Sequence, residues 1–97
     1  MDKRPIGIFD SGIGGLTVVK AIMDKLPGES IVYFGDLAHL PYGNKSEKAV
    51  KEFSISNTRF LIEKNVKCIV VACNSATSIA LENIKASTDL PVIGVIE

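Results

Sequence analysis

Acid–base or nucleophilic chemistry could come from three short stretches, Asp10-Ser11-Gly12, Gly35-Asp36 and Cys73-Asn74-Ser75, with Glu97 as a further acidic position. Cys73 has the strongest claim. It closes an apolar run and precedes a helical pattern, so the dipole and unpaired N–H groups of the helix start stabilise a thiolate, the form of cysteine that takes protons and attacks carbon. Cys68, at the beginning of the same run, lacks that setting and reads as core. Asp10, at the end of a neighbouring strand, could orient the thiol or exchange a proton with it, although an ionised carboxylate there opposes thiolate formation. Each residue also has a purely structural reading. Asp10, Ser11, Asn74 and Ser75 are good helix caps, and an isolated cysteine is commonly a small buried hydrophobe.

Other chemistries fit less well. Gly12-Ile13-Gly14-Gly15 invites a dinucleotide reading, with Asp36 as the ribose-binding acid, but Thr17 occupies the third glycine position and Asp10 would repel a pyrophosphate. No phosphate-binding Gly-Lys-Ser/Thr loop is present. A histidine-assisted hydrolase would have to use His39, the single histidine, which lies in a loop where such side chains are commonly solvated. Cys68 and Cys73 sit at opposite ends of one strand, roughly 16 Å apart at about 3.3 Å per residue, too far to share a zinc ion or a disulfide.

The elements that must hold these residues follow from periodicity. Pro5–Asp10, Ser30–Gly35, Lys67–Ala72 and Pro91–Ile96 read as strands. Leu16–Leu26 places Leu16, Val19, Ile22, Met23 and Leu26 at helical spacing and stops at Pro27-Gly28. Ser46–Asn65 predicts a long helix with Val50, Phe53, Asn57, Phe60 and Leu61 on one face, Asn44 or Ser46 as cap and Asn65 as stop. Ala76–Ala86 predicts a third. The β-α-β-α-β-α-β order implies a doubly wound parallel four-stranded sheet, and of the two common strand orders the flavodoxin-like one, with strand 1 between strands 2 and 3, is favoured. Ligands in such sheets bind beyond the carboxyl ends of the strands, so chemistry is expected after residues 10, 35, 72 and 96. The last two strands show no polar alternation, so both their faces expect cover.

The whole chain is 97 residues, the size of one domain. Eleven basic and eleven acidic residues cancel, which leaves no field for nucleic acid or an anionic membrane. No apolar run approaches a membrane span and no leader pattern opens the chain, so a cytoplasmic protein with reduced thiols is expected.

DSGIGGL at Asp10–Leu16, GD at Gly35-Asp36 with PYGNK at Pro41–Lys45, and ACNSA at Ala72–Ala76 together closely resemble the glutamate racemase family, in order and in spacing. The resemblance implies a racemase without pyridoxal, metal or other cofactor, which interconverts L- and D-glutamate by two-base proton transfer and supplies D-glutamate for peptidoglycan. It implies that Cys73 is one of the two thiol bases and that Asp10 assists it. Ser11, Pro41, Tyr42, Gly43, Asn74 and Ser75 are implied to hold the carboxylate and ammonium groups of the substrate. Ser75 stands where the family usually has threonine and keeps the hydroxyl, while His39 stands where many members have arginine. Members run to well over twice this length, with the second cysteine in the part beyond. Residues 1–97 are therefore expected to form an incomplete N-terminal α/β domain of a two-domain enzyme, inactive alone. Its partners would be the missing half and, through an exposed sheet face, another copy of itself. A stand-alone amino-acid or anion-binding module and an aspartate racemase fragment are the alternatives.

Overall fold

Seven elements alternate along residues 3–10, 15–36 and 45–94, the parts of the chain described by the computed structural model. They are β1 (Ile6–Asp10), α1 (Leu16–Lys25), β2 (Ile31–Gly35), α2 (Glu47–Glu63), β3 (Cys68–Val71), α3 (Asn74–Ala86) and β4 (Val92–Gly94). The four strands form one sheet in the order β2-β1-β3-β4, and every pairing is parallel. The fold is α/β with the flavodoxin-like order, as the alternation predicts.

Local chemistry explains the element ends. Ser46 caps α2, its hydroxyl accepting from the Ala49 N–H at 3.1 Å, the bond that a helix start needs for one of its orphan donors. Asn65 turns the chain out of α2 with φ of 60°, a conformation asparagine tolerates better than most residues. α3 begins two residues earlier than the periodicity suggests, because Cys73 itself acts as the N-cap.

Strand alternation sorts the core into two layers. Phe9, Ile69 and Val71 meet Val50 and Leu61 of α2 and Ala76, Ala80 and Ile84 of α3 on one face. Ile6, Ile8 and Val70 meet Val18, Val19 and Ile22 of α1 on the other. Fully buried side chains such as Phe9, Ile8 and Leu61 each contribute about 1.5–3 kcal/mol. Right-handed crossovers require this division of helices, because the chain reverses its direction of sheet growth after β2.

The α1 face is thinly covered, as expected where a single helix lies on one side of a four-stranded sheet. Leu16, Met23 and Leu26, which sit at helical spacing, are about half exposed, and α1 contains no fully buried residue. Ile93 of β4, on the sheet face expected to be exposed, is 55% exposed. One helix over β1 and β3 cannot also reach β4. Phe60 is also more exposed than its place on the α2 stripe predicts, and it lies against Phe34 with ring centroids 4.7 Å apart.

Candidate active site

The site edge is defined by where three strands stop. The Asp36 N–H donates to the Asp10 carbonyl at 2.8 Å, and the Ala72 N–H donates to the Phe9 carbonyl at 2.9 Å. The ends of β2, β1 and β3 are thus tied level. The chain order reverses between β1 and β3, so Asp10 and Cys73 flank the switch point at which α/β sheets bind ligands.

Asp10 is 4% exposed, and a buried carboxylate needs donors. It has them from two elements. The Gly15 N–H, at the start of α1, donates to Oδ2, and the Tyr33 hydroxyl donates to the same oxygen at 3.4 Å. Gly15 must be this close. A Cβ there would lie 2.9 Å from Asp10 Oδ2 and 3.0 Å from the Ala72 Cβ. Burial, then the charge of Asp10 and its hydrogen bond, push the Tyr33 phenol above its ordinary range, so Tyr33 remains a donor.

Cys73 is nearly buried and caps α3. Its Sγ accepts from the Ala76 N–H at 3.5 Å, and its carbonyl accepts the Thr77 N–H at 2.9 Å. An N–H of the first helical turn thus points at the sulfur, the setting that the strand-to-helix junction predicts. Cys73 belongs to the core layer of α2 and α3, whereas Asp10 lies on the α1 side beside Gly15 and Tyr33. The two candidate groups straddle the sheet edge. Cys68 is half-buried on the α1 face, and neither cysteine forms a disulfide.

Asn74 is exposed and Ser75 half-buried in the first turn of α3. Neither is the cap of α3, since Cys73 fills that position. Asp36 is 5% exposed and accepts from Asn57 Nδ2 of α2 at 3.3 Å. Ser11, Pro41, Tyr42 and Gly43, together with His39 and Glu97, lie outside the described residues. Among the described residues no group of three or more His, Cys, Asp and Glu side chains could hold a metal ion, and no helix is long and apolar enough to cross a membrane.

Sequence reasoning missed Tyr33, Gly15 and Asn57 as neighbours of the carboxylates. Tyr33 was detectable in principle. It shares strand parity with Ile31 and Gly35, which pair with Ile6 and Asp10, and a tyrosine in an otherwise apolar strand usually finds a partner for its hydroxyl.

No family model matches the chain. Over 96 residues, 99% of the chain, it is 53% identical to glutamate racemase of Streptococcus pneumoniae, of which it spans 36%. The crystal structure of glutamate racemase from Francisella tularensis in complex with D-glutamate superposes with a TM-score of 0.93 at 48% identity, over 97% of this chain and 36% of that one. The Thermus thermophilus enzyme, in complex with β-chloro-D-alanine, gives 0.91 at 50% identity, over 95% and 36%. The resemblance carried by the three motifs therefore holds in sequence and in fold along nearly the whole chain, which spans about a third of the length of these relatives.

Proposed function

From that similarity we infer that this chain supplies one half of the active site of a glutamate racemase, an isomerase that inverts the α-carbon of glutamate. The observation that carries the reading is the placement of Cys73. In a chain 53% identical to such an enzyme, a thiol caps the helix that follows β3, and a buried carboxylate ends the adjacent strand.

The chemistry is proton transfer alone. The Cys73 thiolate takes the Cα proton of one enantiomer, the electron pair of the C–H bond moves onto the substrate carboxylate side, and a second thiol returns a proton to the opposite face. In the reverse direction the two thiols exchange roles. No cofactor enters this scheme. Helix-start N–H groups suit the anion that develops, which gives the first turn of α3, with Asn74 and Ser75, the task of holding the substrate carboxylate. Ser11, Pro41, Tyr42 and Gly43 complete the grip on carboxylate and ammonium. Asp10 assists Cys73 from across the sheet edge. The product D-glutamate serves peptidoglycan synthesis in the cytoplasm.

Cys68 is too far along the strand from Cys73 to act as the second base, so residues 1–97 act as an N-terminal domain that needs a second one. The test is the interconversion of the two glutamate enantiomers, followed by circular dichroism. The chain alone is expected to be inactive, and a racemase with this chain as its first part is expected to be active. Enzyme-like rates from the purified 97-residue chain would overturn the two-base scheme.

A further inference from the structure

Two donors from different elements converge on one oxygen of Asp10. The Gly15 N–H comes from the start of α1, and the Tyr33 hydroxyl, at 3.4 Å, comes from β2. Tyr33 pairs with Ile8 in the parallel register, so its ring begins two residues short of the strand end and its hydroxyl reaches forward to the carboxylate. The ring itself joins the α1-side cluster with Ile6, Ile8 and Val70, work that a phenylalanine would do equally well. The hydroxyl is the part that the core does not need.

We propose that Tyr33 is a positioning residue for racemisation: its hydroxyl holds the Asp10 carboxylate in the orientation from which Asp10 assists Cys73. The inference rests on the racemase reading for the role of Asp10. Gly15 anchors the carboxylate from the α1 side, and Tyr33 from β2 restrains its rotation, so the group is fixed before substrate arrives. Such prior orientation is what a proton-transfer site requires.

The test is a double-mutant cycle in a racemase that carries this chain. Tyr33→Phe is expected to lower kcat about tenfold, the loss of one hydrogen bond of about 1.4 kcal/mol, with KM for glutamate changed less than about twofold. In an Asp10→Asn background the same substitution is expected to cost less than about twofold, because Tyr33 acts through Asp10. A tenfold loss in both backgrounds, or none in the unsubstituted protein, overturns the proposal. If the unsubstituted protein does not racemise glutamate, the racemase reading itself fails, and the contact is then measured on the chain alone. An absorbance titration of Tyr33 in a Tyr42→Phe background is expected to show a midpoint above 10.0 that falls when Asp10 becomes asparagine. A midpoint unmoved by that change overturns the contact and the proposal with it.

Discussion

Replacing Gly15 by alanine tests the packing behind Asp10. Gly15 has φ −78° and ψ −2°, which any residue adopts, so the backbone itself poses no obstacle. By that criterion alone, alanine would stabilise the fold by about 0.4–1 kcal/mol through a less flexible unfolded chain. Space decides otherwise. The new Cβ would lie 2.9 Å from Asp10 Oδ2, 3.0 Å from the Ala72 Cβ and 3.1 Å from the Asp10 Cβ. The carboxylate can swing away, but the two Cβ atoms are fixed to the ends of β1 and β3 and move only with the backbone. Overpacking of this type costs about 1–3 kcal/mol, so a net loss of up to roughly 2.6 kcal/mol is expected. Urea denaturation followed by circular dichroism measures it as a lower midpoint at unchanged slope. In an active racemase the same substitution should also lower kcat by displacing Asp10. A Gly15→Ala chain more stable than the parent would refute the close approach of α1 to the two strand ends.

The Ser54 hydroxyl is buried without a hydrogen-bond partner among the described residues, so Ser54→Ala should raise stability by about 1 kcal/mol, the lower end of the cost of an unsatisfied buried polar group, read as a higher urea midpoint. Tyr33 favours its protonated form in the fold, so its contribution is complete below the ordinary tyrosine value of 10.0 and is lost as pH rises through the higher folded value. Tyr33→Phe should therefore flatten the fall in stability above pH 10.0, measured by urea midpoints on either side of that pH. The half-exposed Leu16, Met23, Leu26 and Ile93 leave the α1 face of the sheet short of cover, and the chain alone should bind a hydrophobic dye and self-associate in sedimentation experiments. A dye-silent monomer across a dilution series would show that the face is covered in another way.

Much of this was legible in the sequence because the strongest signals are also the most local. The continuous apolar run at Lys67–Ala72 announces a strand covered on both faces, and Cys68–Val71 is that strand, with Ile69, Val70 and Val71 buried. Alternating strands and helices fix the parallel sheet, and the turn chemistry of Ser46 and Asn65 marks the ends of α2. What periodicity does not contain is supply. The α1 stripe from Leu16 to Leu26 and the β4 run both look like core, yet the number of helices on each face decides how much of them is buried, and that follows only from strand order. The start of α3 was displaced for a different reason. Cysteine is not an expected cap, so the apolar spacing marks Ala76 rather than Asn74 as the start of α3, although the helix-start N–H groups beside Cys73 are legible from the strand-to-helix junction. The convergence of Gly15 and Tyr33 on Asp10 is a tertiary fact, set by the pairing of β1 with β2 and by the entry of α1 beside it.

The racemase reading stands or falls on whether Cys73 removes the α-proton of glutamate. Deuterium incorporation at Cα of glutamate in D2O measures it most directly, in a racemase that carries this chain, with Cys73→Ser and Cys68→Ser compared. General acid–base catalysis by a placed side chain is worth about 10²–10⁴ in rate, so with each enantiomer followed separately Cys73→Ser should slow exchange of one of them by at least about a hundredfold, while Cys68→Ser should leave both unchanged. Undiminished exchange of both enantiomers in the Cys73→Ser protein would refute proton removal by Cys73.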